Sequence, residues 1–200
     1  MSGRESGIDH PLLQRVEIFS DVVLGFSLAE LGLSLSLPTF GHPIAEVLTH
    51  PWGLIAFVWT FGTICLLWVR NNHLFRHFFI PNAFSLTLNF AQLGAAVMMV
   101  YMVQVLIRAI QLDGPGDIKN GIAMYCGSFV LLQVLLGTLF LYGVLRRWSL
   151  LADRERALGV TATMRLFSGA IAVGILGYAG FHGPLMMSLS IPFVIGVSLI

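Results

Sequence analysis

One apolar stretch near the start of the chain holds an arginine, a serine and three acids, in the run Arg15-Val16-Glu17-Ile18-Phe19-Ser20-Asp21 and, further on, Glu30. Groups of this kind are hard to place in a bilayer, where an ionised side chain at the centre of a helix costs about 2.5–3.5 kcal/mol on insertion scales. They need partners or water, so the chemistry open to them is to attract a cation, to carry a proton, or to tie helices together by hydrogen bonds. Catalytic patterns are missing: there is no Gly-rich phosphate loop, no His-Glu-x-x-His and no serine elbow, and the chain does not read as an enzyme. His73 and His77 stand four apart and share a helix face, a spacing that haem or a metal could use. At the end of an apolar run the pair reads as an interfacial anchor, and no metal or cofactor is expected. Cys65 and Cys126 lie inside apolar runs, where they read as small packing residues.

The elements that must position these groups follow from composition. Of 200 residues, 56% are hydrophobic and only 10% charged, and the charges gather between long apolar runs, which marks an integral membrane protein. A hydrocarbon core of about 30 Å needs about 20 helical residues to cross it. Six runs qualify, at 17–38, 52–75, 82–107, 121–145, 161–181 and 184–200, the last being short. They are continuous rather than alternating, so an all-α bundle of six transmembrane helices is expected and not a barrel. The loops between them are too short to hold a core of their own, so residues 1–200 read as one membrane domain. Residues 1–16 are polar and carry no secretory leader, and the first span serves as its own targeting signal.

Basic residues set the orientation. With the N-terminus in the cytoplasm, that side takes Arg4, Arg15, Arg70, Arg76, Arg146, Arg147, Arg154, Arg156 and Arg165, against Arg108 and Lys119 outside. Both termini are therefore expected in the cytoplasm, in the cytoplasmic membrane. The formal net charge of +1 and the absence of a basic stripe interleaved with aromatics argue against nucleic acid as a partner. Asp113-Gly-Pro-Gly-Asp117 reads as the turn between the third and fourth spans, and Arg146–Arg156 as a charged cytoplasmic connector long enough for a short helical turn, with Asp153, Arg154, Glu155 and Arg156 as a solvated face. The glycines at 169, 174, 177 and 180 read as a stripe that lets helices approach closely.

Projected at about 100° per residue, Phe26, Glu30, Leu33 and Leu37 fall on one stripe of the first helix, with Phe19 beside them, while Leu24, Leu28, Leu31 and Leu35 form a roughly opposite face. Glu30 is the anomaly on its stripe, and two readings stay open. Either it is held inside the bundle by a neighbour such as Asn89, Gln92 or Gln104, or it faces a water-filled path along an oligomer axis, as a cation-attracting ring between the apolar constrictions Phe26 and Leu33.

Arg15, Phe19, Ser20 and Asp21 match the Arg-x-x-x-Phe-Ser-Asp signature of the transmembrane protein 175 family of potassium channels, and the chain resembles that family in its bacterial single-repeat form. The second span agrees: Trp68-Val-Arg-Asn71-Asn72-His73-Leu74-Phe75 is similar to the family's Trp-x-x-His-His-x-Leu-Phe, with Asn71 and Asn72 in place of the two histidines. Asn89 stands where members tend to carry an asparagine. The resemblance implies four copies around a central pore lined by the first helix, with bulky apolar residues as constrictions beginning at Phe26 and continuing to Leu33 and Leu37. It implies no Thr-Val-Gly-Tyr-Gly filter, and the sequence has none. Arg15, Ser20 and Asp21 would lie behind the pore wall, with Asn71, Asn72, His73 and Asn89 as candidate partners. The chain departs from the pattern in having an aromatic residue at Phe26, and an acid at Glu30. The expectation is a homotetrameric potassium-permeable channel, with itself, the bilayer and monovalent cations as partners and no cofactor beyond the permeating ions. The rival expectations are a non-conducting membrane assembly protein and a proton-coupled transporter with Glu30 as the carrier.

Overall fold

In the computed structural model the described residues are 10–34, 52–112 and 115–182, and all their regular structure is helical. Five helices follow in order: α1 His10–Ser34, α2 Trp52–His77, α3 Ala83–Leu112, α4 Pro115–Arg146 and α5 Asp153–His182. Each has 25 to 32 residues, more than the 20 or so that a bilayer crossing requires. By length and composition, Ala83–Leu106, Ile118–Arg146 and Asp153–His182 are apolar enough to cross a membrane. The sixth run, 184–200, and the end of the first, 35–38, lie outside the described residues.

Two boundaries differ from the sequence reading. Pro115, Gly116 and Asp117 belong to the first turn of α4 and not to a turn that ends at 117. Proline at the first helical position fits there, because its missing N–H has no intrahelical partner in any case. Helix α5 begins at Asp153 rather than near 161, so the second half of the charged connector is helical. Apolarity marks the part of a helix in lipid, and the polar turn beyond it is helical but silent. Asp153 and Glu155 suit that first turn, where the helix dipole favours acids. The Glu155 carboxylate also accepts a bond from Ala152 N at 3.2 Å, as in one half of a capping box.

The most extensive packing joins α4 to α5, then α3 to α4, and α1 leans on α3 and α2. Gly159 faces Val144 and Phe78, Gly169 faces Gln133, and Gly177 faces Cys126. As one number rises the other falls, so the two helices run antiparallel. A Cβ at Gly169 would stand 2.9 Å from Gln133 Oε1, and one at Gly177 the same distance from Cys126 Cβ, closer than real Cβ atoms come. These glycines therefore set the approach of the helices. Gly174 does not belong to the stripe: it is exposed, and a Cβ there would meet only Val130 at 3.9 Å. The spacing from 169 to 174 is five, which turns position 174 away from a face kept at 166, 169, 170, 173 and 177.

At one end of the bundle the α2–α3 and α4–α5 turns interlock. Asn82 caps α3 by accepting from Ser85 N at 2.8 Å, and its amide donates to the Tyr142 hydroxyl at 2.7 Å. Arg147 donates to the carbonyls of His77 at 3.2 Å and Phe79 at 3.0 Å, orphan acceptors at and just past the C-terminus of α2. The Arg146–Arg156 connector thus holds the neighbouring turn through Arg147.

Candidate functional site

Helix α1 presents two different faces. Val16, Ser20, Leu24, Ser27 and Leu31 are buried against the bundle, at steps of four and three that hold one side of a helix inward. Phe26 and Leu33 point the other way and are 72% and 86% exposed, and Glu30, on the same stripe, is exposed too. Among the described residues Glu30 makes no hydrogen bond or ion pair. Asn89 is buried and donates from its amide to Ser20 instead. Gln92 is buried and Gln104 half-buried. Leu37 lies outside the described residues.

Behind that face, α1 is fastened by its signature residues. The buried Ser20 hydroxyl donates to Val16 O at 2.8 Å and accepts from Asn89 Nδ2 at 3.2 Å, which links α1 to α3. Asp21 Oδ1 accepts from Trp68 Nε1 at 2.8 Å, which links α1 to α2. Phe19 packs edge-on against Phe90 of α3, ring centroids 5.6 Å apart, which is the favourable arrangement of two aromatic quadrupoles. Leu24, Gly25, Leu28, Ile64 and Cys65 line a shallow apolar groove between α1 and α2, at whose end the Asp21–Trp68 pair sits.

Of the partners expected from the sequence, the structure brings Asn89 to Ser20 but neither Asn71, Asn72 nor His73 to Asp21. Asn71 faces the bundle interior at 1% exposure, and its Oδ1, like those of Asn72 and Asn89, meets no protein donor. His73 turns toward α4, its ring 6.4 Å from that of Phe140 and 4.7 Å from that of His77. Arg15 is exposed and makes no hydrogen bond or ion pair among the described residues. Trp68 is the partner that the sequence reading passed over. A signal was there: an indole N–H in an apolar helix has no backbone acceptor free to take it, and an acid in the adjacent helix answers that need.

Among the described residues, three bilayer-length apolar helices in a bundle with polar groups turned to its interior define a multi-span membrane protein. Residues 15–100 match the family described as endosomal/lysosomal potassium channel TMEM175. The match covers most of α1, all of α2 and the first part of α3. Its fold is that of a lysosomal potassium-selective channel TMEM175 homologue from Chamaesiphon minutus, at TM-score 0.71 and 15% identity, covering 94% of this chain and 96% of that one. It is also that of a variant of the potassium channel MtTMEM175 solved with a nanobody fusion, at TM-score 0.67 and 16% identity, covering 92% and 88%. No curated protein matches the chain.

Proposed function

We propose that the chain is a potassium-permeable cation channel in which four copies surround an axis lined by α1. The observation that carries this reading is the α1 face bearing Phe26, Glu30 and Leu33: large, apolar apart from one acid, and turned away from the chain's own bundle while the opposite face is packed. A free acid in lipid is costly, so a face of this composition suits a wet axis shared by identical subunits. The names of the two similar structures, both potassium channels, point to the same ion.

In this reading Phe26, Leu33 and Leu37 narrow the path as apolar constrictions, and Glu30 attracts cations between them. The signature residues do not touch the ion. Ser20 and Asp21 hold α1 to α3 and α2, so that the pore wall keeps its register, with Phe19, Asn71, Asn72, His73 and Asn89 packed behind it and Arg15 at its entrance. The whole forms one six-helix membrane domain, its last span at 184–200, with both termini in the cytoplasm and the bundle in the cytoplasmic membrane.

Potassium flux into liposomes that contain the purified protein tests the proposal. Phe26→Ala is expected to raise flux and Glu30→Gln to lower it. Unchanged flux in both variants would remove α1 from the permeation path, and a strict monomer in lipid would remove the axis itself.

A further inference from the structure

The turn between α4 and α5 carries a combination that the pore reading does not use. Leu145, Trp148 and Leu150 are all exposed, Leu150 at 82% on the tip of the turn, and Arg146 and Arg154 flank them. The neighbouring charges are already engaged. Arg147 is bound to the carbonyls of the α2–α3 turn, Glu155 to Ala152 N, and Asp153 to Arg156 at 3.4 Å. Arg156 also lies over the Trp148 ring at 5.5 Å, which keeps the indole beside a cation. The surface that remains is apolar at its tip and positive at its rim, where Arg146 lies over the Tyr142 ring at 5.7 Å.

We propose that this turn is a docking surface for anionic phospholipid headgroups, with Leu150 and Trp148 set into the interfacial layer and Arg146 and Arg154 holding lipid phosphate. Depth supports the occupant. The apolar part of α4 runs from Ile118 to Arg146, 29 residues, or about 43 Å at 1.5 Å per residue. That exceeds the hydrocarbon core of about 30 Å and reaches about the 40–45 Å of a bilayer with its headgroups, so the residues just past Arg146 stand at headgroup level. Tryptophan is enriched at that level, and arginine there pairs with anionic lipid. Charge supports it too, since most of the basic residues of the chain gather at the end of the bundle that bears this turn, which favours the leaflet richer in anionic lipid. Arginine forks two N–H groups onto a phosphate, and each such residue near an anionic surface is worth about a fivefold gain in partition.

The test places a fluorophore at Leu150→Cys, in a Cys65→Ala background, in nanodiscs of phosphatidylcholine with and without phosphatidylglycerol. Quenching by a lipid carrying a shallow doxyl group is expected to exceed quenching by aqueous iodide at least twofold. Native mass spectrometry gives a readout without the probe: the wild-type protein is expected to retain phosphatidylglycerol over phosphatidylcholine, and the double variant Arg146→Gln with Arg154→Gln to lose at least half of that preference. A probe open to iodide but not to the doxyl lipid would overturn the proposal. So would a probe shielded from both, which would mean that a polypeptide covers the turn. An unchanged lipid preference in the double variant would overturn the role of the arginines and the proposal with it.

Discussion

Replacing Gly143 with alanine puts a methyl group where the α2–α3 turn already stands. A Cβ built on Gly143 runs into the Phe78 carbonyl oxygen and comes within 2.9 Å of both Phe78 C and Phe78 Cβ. Most of what it meets is backbone, so no rotamer change relieves the clash. The turn itself must move, against the hydrogen bonds from Arg147 to His77 O and Phe79 O and the Asn82 amide on Tyr142. Overpacking of this kind costs about 1–3 kcal/mol. At about 2–4 °C per kcal/mol for a chain of this size, the thermal midpoint should fall by about 2–12 °C. The assay is the loss of the folded peak in size-exclusion chromatography of detergent-solubilised protein after heating. Gly127→Ala is the control, because a Cβ there has nothing within 4 Å and alanine is the better helix former. If Gly143→Ala were as stable as Gly127→Ala, the contact between α4 and the α2–α3 turn would be wrong.

The same end of the bundle gives a second expectation. Arg147→Ala should lower stability by about 1–3 kcal/mol through two lost bonds to carbonyls, and Arg147→Lys should restore only part of it, since an ammonium cannot fork to both; melting of the three proteins side by side checks this. Between α4 and α5, Gly177→Ala should destabilise measurably, while Gly174→Ala should be neutral or mildly stabilising, in the same heating assay. A double-mutant cycle on Trp68→Phe and Asp21→Ala should return a coupling of about 0.5–1.5 kcal/mol, and additivity of the two changes would mean that the Asp21–Trp68 bond contributes nothing.

Much of this protein was written in its chain as periodicity. Long apolar runs with few charges leave a helical bundle as the fold, because only a helix satisfies its own backbone in lipid within one segment. The opposite faces of α1 were also legible, Leu24 and Leu31 on one and Phe26 and Leu33 on the other, since a period of 3.6 fixes which residues share a side, but only the packed bundle decided that the first pair turns inward. The family likeness over residues 15–100 was legible from a handful of residues around Phe19, because polar groups such as Ser20 and Asp21 are rare in an apolar helix.

Partners were not written there. Position 21 announces an acid that needs a donor, but Asn71, Asn72, His73 and Trp68 all lie within reach along α2, and only the rotation of that helix selects Trp68 while turning Asn71 to the interior. Arg147 has the composition of a solvated residue, and becomes a clamp only because the α2–α3 turn folds beneath it. Spacing along one helix is local and survives in sequence. The angle and height at which two helices meet depend on side chains far apart in the chain, and those are set only when the bundle closes.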